Sequence, residues 1–272
     1  MRPRAIWDFW YYVAKGIQFA FGILGMTIPI SEKIPLDKTQ QYFPPLAPLL
    51  GWSQENLWWA TPGCLLVAGA ATVLMKWIGE PWAWQMASSL ITGFRNQIFK
   101  SKKDPVHYHR VTLFKCKQWC LTRKHKRLLP RPPWSRWLTS TVRSCHTTLK
   151  SKPTFAIPDD AENVEGIAGL AWSTRATIYE VGLPQLVTTT NPTNLKKYAD
   201  KTKMQQEEVS LRVKDGKNFA RSYCAFPVES ENGEIWGVIV IDSQDPELPP
   251  EAEITGLFFP VAQCLTKLIS RL

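Results

Sequence analysis

Six cysteines and four histidines are the first residues to ask for chemistry. Cys116, Cys120 and His125 offer metal ligands at C-x3-C-x4-H spacing. A structural zinc needs a complete tetrahedral set. No further partner stands near these three, and the Lys and Arg around them would repel a cation. No metal site is expected. The other cysteines, Cys64, Cys145, Cys224 and Cys264, form no CxxC motif and should stay reduced in a cytoplasmic compartment. His107, His109 and His146 stand apart from any Ser or Asp in a triad-like pattern. No catalytic constellation emerges, so the chain is expected not to be an enzyme.

The elements around these residues fall into two kinds. Hydrophobic residues make up 44% of the 272 and charged residues 21%, which excludes a disordered or collagen-like chain. Leu57 to Met75 holds 19 residues without a charge, close to the roughly 20 needed to span the hydrocarbon core. Trp58, Trp59 and Trp77 flank it as interfacial aromatics would. Phe9 to Ile30 is a second apolar run with one charge, Lys15, near enough to its end to snorkel. Pro35, Pro44, Pro45 and Pro48 mark Ser31 to Asn56 as a connecting loop. Arg2 and Arg4 precede the first run, and Lys76, Arg95, Lys100, Lys102 and Lys103 follow the second. By the positive-inside rule both termini are cytoplasmic. The expectation is a multi-pass protein of the inner (cytoplasmic) membrane, with a transmembrane helical hairpin over residues 1–80.

Residues 81–104 are expected to form an amphipathic juxtamembrane helix and a basic linker. Trp84, Ala87, Leu90, Ile91, Phe94 and Ile98 fall at helical spacing. Charge is concentrated just beyond. Residues 95–152 carry 16 basic residues against one acidic, Asp104, whereas residues 153–272 carry 11 against 17. The basic block has three readings. It attracts anionic lipid, at about 1 kcal/mol per basic residue near the surface. It binds nucleic acid, with Trp119, Trp134 and Trp137 available for stacking. Or it contributes to a pocket for an anionic ligand. No nucleic-acid motif supports the second reading, so no specific nucleic acid is expected. Lys100, Lys102, Lys103, Arg123, Lys124, Lys126 and Arg127 are the candidate membrane-surface residues.

Residues 105–272 read as an α+β domain. Strands are expected over His109–Lys117, Trp137–Leu149, Gln185–Thr190, Ala220–Glu229 and Glu234–Ser243, with Asn232-Gly233 as a hairpin turn. Ala156–Glu165 reads as an acidic loop, and Gly166 opens a helix to about Val181. The segment Asn191–Lys217 is polar, with helix and loops. Glu234–Ser243 is apolar on both faces, as a central covered strand would be. A last helix places Ile254, Leu257, Phe258, Val261, Leu265, Leu268 and Ile269 on one stripe.

The order Glu165-Gly166-Ile167-Ala168-Gly169-Leu170-Ala171, Gly182-Leu183-Pro184, Arg221 to Val228 and Gly233 to Ser243 resembles the GAF domain family of small-molecule sensors. The resemblance implies an antiparallel sheet flanked by helices. It implies a pocket between the sheet and the crossover segments from about Ile167 to Lys217. Trp172, Arg175, Tyr198, Arg221 and Tyr223 are the candidate ligand-binding residues. The cyclic-nucleotide signature of the family is only echoed by Asn194-Leu195-Lys196 and Tyr198-Ala199-Asp200. Members that reduce free methionine sulfoxide need cysteines at Ala168 and in the loop before Arg221, and this sequence has neither. Cys145-His146 has the bilin-type dipeptide in the wrong part of the order. No cofactor is assigned.

The expected function is a membrane-anchored small-molecule sensor or regulatory protein acting as a homo-oligomer, with gating of the membrane spans by ligand as one version. Nucleotides are among the candidate ligands. The alternative is a membrane-tethered scaffold that binds none. A pocket with aromatic and basic walls favours the sensor; one without polar side chains favours the scaffold.

Overall fold

A computed structural model of the chain describes residues 3–42, 44–100, 108–117, 136–144, 154–157 and 164–272. It divides into two compact units, Met1–Ala83 with Arg271–Leu272, and Trp84–Ser270.

In the first unit, helix α1 (Pro3–Ser31) is followed by α2 (Leu36–Tyr42), a 3-10 turn (Pro44–Leu46), α3 (Ala47–Glu55) and α4 (Leu57–Ile78). The expected loop between the two long helices is therefore partly helical. Proline does not prevent this, because Pro48 sits in the first turn of α3, where its missing N–H is not needed. Helices α1 and α4 pack antiparallel. Trp7 meets Trp77 edge to face at 5.5 Å near one end, and Gln18 Nε2 donates to Thr72 Oγ1 at 2.9 Å. At Gly25 a β-carbon would already touch Leu65 at 3.4 Å, so the small residue lets the helices approach there. Outward side chains are apolar: Phe19, Met26, Leu66 and Val73 are all more than two-thirds exposed. Ala5–Ser31, Leu57–Ile98 and Glu251–Ile269 are long and apolar enough to cross a membrane, by length and composition.

The second unit contains most of α5 (Pro81–Ile98) and a six-stranded antiparallel sheet. The strands are β1 (His109–Lys117), β2 (Arg136–Arg143), β3 (Thr154–Ile157), β4 (Ile178–Glu180), β5 (Ser222–Glu229) and β6 (Ile235–Ser243). Their order is β3-β2-β1-β6-β5-β4, so β1 and β6, from opposite ends of the domain sequence, form its centre. This matches the α+β plan expected for a GAF-like fold. One face carries α6 (Gly166–Thr174). There Phe114, Leu138, Ala225, Val238 and Val240 bury against Ile167, Ala168 and Ala171. Helices α7 (Pro192–Thr202) and α8 (Gln206–Lys214) pack together around Tyr198, Val209 and Val213, and Tyr223 of the sheet joins that cluster. The opposite face carries α9 (Glu251–Ile269), where Phe258 stacks on Phe226 at 4.3 Å and meets Phe94 of α5 at 6.2 Å.

Three expectations are corrected here. The helix from Gly166 stops at Thr174, where Arg175 takes the left-handed conformation, and Ile178-Tyr179-Glu180 become β4. β-Branched and aromatic residues after Arg175 suit a strand better than a helix. Gln185–Thr190 is a turn instead of a strand. Thr190 Oγ1 accepts from the Val187 N–H at 2.7 Å, and the Thr190 N–H returns to the Val187 carbonyl at 2.8 Å. Ala156 and Ile157, read as loop, belong to β3, paired with Trp137 and Arg136 of β2.

Gly237 has a steric role in the central pair. A β-carbon there would lie 2.2 Å from the Phe114 carbonyl oxygen, a backbone atom that cannot step aside without opening β1 from β6. Gly237→Ala is expected to destabilise the domain by about 1–3 kcal/mol, the usual cost of overpacking, as measured by denaturant unfolding of the full chain.

Candidate functional site

Antiparallel pairing puts directly opposed residues on the same face. Along one row the partners are Glu180, Tyr223, Asp242 and Arg110, on β4, β5, β6 and β1 in turn. The next row contains Ala225, Val240 and Thr112, and Ala225 and Val240 belong to the α6 core. The polar row therefore borders an apolar face that the helices cover.

A bulge adds one more charge. Leu113 pairs with Val142 and Phe114 with Ser140, so Thr141 is the extra residue of β2. With regular alternation from Leu138 and Ser140, Arg143 would point to the α9 face. The bulge reverses the alternation, and Arg143 lies opposite Thr112 on the α6 face, its Nε donating to Thr112 Oγ1 at 3.2 Å. Re-aiming a side chain is a common use of such bulges.

The charges are partly satisfied. Arg110 Nε donates to Asp242 Oδ1 at 2.6 Å, and a second guanidinium nitrogen reaches the same oxygen. Asp242 is buried, which makes this a charge-assisted pair in a partly dry setting. On α8, Arg212 donates to Glu208 at 2.6 Å. On α7, Lys201 reaches Glu180 at 3.0 Å. Tyr198 is fully buried and donates its hydroxyl proton to the Ala220 carbonyl at 3.0 Å. That proton is then used, so in the 2.9 Å contact between the two phenols Tyr223 is the donor. Burial, reinforced by the Asp242 charge, pushes the Tyr223 phenol up to about 12. Burial also raises Tyr198 well above its ordinary value. The Arg143 guanidinium is pushed down by burial, while Asp242 opposes the shift and Arg110 adds to it.

Among the five residues chosen from sequence, the structure brings Tyr198 and Tyr223 into direct contact. Trp172 is half-buried and packs against the α6 core cluster, as Tyr223 does. Arg221 holds the loop after β4, its Nε donating to the Leu183 carbonyl at 3.3 Å. Arg175 is the exposed residue that ends α6 and joins none of them. Arg110, Arg143, Asp242, Glu208 and Arg212 were missed. For Arg110 and Asp242 the signal was a charge in a strand that reads as covered, beside Val111 and Ile241; Arg143, Glu208 and Arg212 had none. Lys100 is exposed and pairs with Glu253 at 2.9 Å. Lys102, Lys103, Arg123, Lys124, Lys126 and Arg127 lie outside the described residues, as do Cys120 and His125. The thiols of Cys116 and Cys224 are pushed up by burial to about 11 and about 12.

No family model matches the sequence. No curated protein matches it either. Solved structures do resemble it at low identity. The type II free methionine-R-sulfoxide reductase from Thermoplasma acidophilum is 15% identical, covering 69% of this chain and 94% of its own, with a TM-score of 0.37. A GAF domain structure is 13% identical over 68% of this chain and 84% of its own, also at 0.37. The GAF domain of an Acinetobacter phosphoenolpyruvate-protein phosphotransferase is 12% identical over 69% and 88%, at 0.36. The expectation that the chain is not an enzyme is corrected by the first of these, since a reductase stands among the structures it resembles.

Two outcomes follow from the site. Arg110→Ala strands a buried carboxylate and is expected to cost roughly 3 kcal/mol by denaturant unfolding. The folded Tyr223 pKa lies above the ordinary value of about 10. Its contribution is thus fully present below that pH and is lost as pH rises towards about 12. Tyr223→Phe should flatten the alkaline fall in unfolding free energy, read from urea titrations over that window.

Proposed function

We propose that this chain is a membrane-anchored small-molecule sensor of the GAF type. The observation that carries the reading is the set of guanidinium, carboxylate and phenol groups gathered on the sheet face beneath α6, α7 and α8. A face that served packing alone would be apolar throughout, because each buried polar group costs free energy unless it is paired. Aromatic and basic walls are what a site for a small polar molecule needs.

The anchoring half of the proposal is supported by α1 and α4. They are long, apolar on their outward faces, and pinned to each other by the Gln18–Thr72 hydrogen bond. In lipid such an outer surface is solvated; in water it would be an aggregation hazard. The reading places both termini and the sheet domain on the cytoplasmic side of the inner membrane. Homo-oligomeric chains would couple ligand binding to the spans. Ligand shifts such an equilibrium only by its different affinity for the two states.

The test is a thermal-shift screen of the full chain in detergent against amino acids, nucleotides, carboxylates and phosphate, after its membrane association is measured. Carbonate washing is expected to leave the chain in the membrane pellet. One ligand class should raise the melting temperature in proportion to mass action, about 2.7 kcal/mol at a hundredfold excess over Kd. Release by carbonate removes the anchor. A folded chain that responds to no class removes the sensor in favour of the scaffold.

A further inference from the structure

Among the described residues, the sheet face beneath α6–α8 holds more guanidinium groups than carboxylates paired to them. Asp242 is engaged by Arg110, and Glu208 by Arg212. Among the described residues Arg143, like Arg221, has no carboxylate hydrogen-bond partner, and the Asp242 charge acts on it only at a distance. Among these residues, the hydrogen bond that the Arg143 side chain makes goes to the neutral hydroxyl of Thr112. A half-buried guanidinium has lost part of its hydration and has donors to spare, since one Nε bond leaves the terminal nitrogens unused.

A second observation points the same way. Ser140 is buried, and among the described residues its hydroxyl has no hydrogen-bond partner. It stands opposite Phe114 on the α6 face, one row from the Arg143–Thr112 pair. Buried hydroxyls are nearly always satisfied, so an unsatisfied one beside an under-neutralised guanidinium marks a place where something polar belongs. The bulge at Thr141 is what puts both on one face. A regular strand would have left Ser140 there and turned Arg143 away. Both features sit on β2, a strand that supplied none of the five candidates chosen from sequence.

We propose that Arg143, with the Ser140 hydroxyl beside it, binds the acid group of a small anionic ligand, a carboxylate or a phosphate. The guanidinium fork matches two oxygens of either group, and Arg110 adds attraction at longer range. Thr112 holds the Arg143 stem through its Nε and so presents the terminal nitrogens. The remainder of the ligand would lie over the Tyr223–Tyr198 pair. This deepens the sensor reading and rests on it, because it names the chemistry recognised at the same face.

The experiment uses the full chain in detergent, titrated with inorganic phosphate and, separately, acetate at constant ionic strength set with chloride. Melting temperature and calorimetric affinity are the readouts. At least one of the two anions should stabilise the wild type in a saturable way, and the preferred one tells a tetrahedral from a planar acid group. Arg143→Gln should weaken that binding about tenfold or more, as expected for losing a charge-assisted contact. Arg143→Lys, which keeps the charge without the fork, should fall between. Ser140→Ala should weaken binding while leaving the anion-free protein as stable as before or more so, since an unsatisfied buried hydroxyl is removed. A purely structural role for either residue would not give that split. Lys267→Gln, an exposed charge change on α9, should bind as the wild type does.

Equal anion affinity in wild type and Arg143→Gln overturns the proposal, as does a folded wild type that neither anion stabilises. If in that case a neutral ligand still raises the melting temperature, the anion proposal fails and the sensor reading stands. If nothing binds, both fail. Should Arg143→Gln not fold, Arg143→Lys and Ser140→Ala carry the test alone, and wild-type affinity in both overturns it.

Discussion

The Arg110–Asp242 ion pair is the constraint around which the domain is arranged. The two residues come from strands at opposite ends of the domain sequence. They meet because β1 and β6 are neighbours at the centre of the sheet. A carboxylate buried at that depth is tolerable only with its partner in place. The pair also sets the register. A one-residue slip between β1 and β6 would send Arg110 to the α9 face and leave Asp242 alone. Gly237 guards the same register from the other end, because its backbone passes too close to the Phe114 carbonyl for any side chain.

From that centre the two faces diverge. The α9 face is closed by aromatic stacking, Phe226 on Phe258 and Phe258 against Phe94, with Phe99 stacked on His109 at 4.2 Å. It is a packing surface. The α6 face begins as one, around Phe114, Val238 and Val240, and turns polar within a single row. That gradient has a stability cost, offset by hydrogen bonds between the phenols and by two carboxylate–guanidinium pairs. Arg143 and Ser140 are not offset in this way. They stand where stability alone would have chosen apolar side chains, as functional sites commonly do.

The apolar hairpin follows a different logic. Its helices turn most of their large side chains outward and meet through a small residue, Gly25, and a polar contact, Gln18 to Thr72. Such packing suits the proposed anchor, because lipid tails are as apolar as the side chains and leave close approach and hydrogen bonds to hold helices together.

Much of this was determined by local pattern. Alternation delimited β1 at His109–Lys117 without error, and apolarity on both faces marked β6 as central. The stripe from Ile254 to Leu268 gave the buried side of α9, and Trp84, Ala87, Ile91, Phe94 and Ile98 that of α5. These succeed because each element's burial is written in its own period. Tyr198 and Tyr223, chosen because the order of motifs resembled a known plan, meet through their hydroxyls. The rest needed the tertiary structure. The end of α6 at Arg175 and the short β4 depend on pairing with β5, which no local window contains. The fate of Arg143 depends on one extra residue in β2, and a bulge is visible only against its partner strand. Arg110 and Asp242 each stand out as a charge in a covered strand, but that they are each other's partner shows only when the sheet closes. Long-range pairing decides which charges are buried together, and the site is made of those charges.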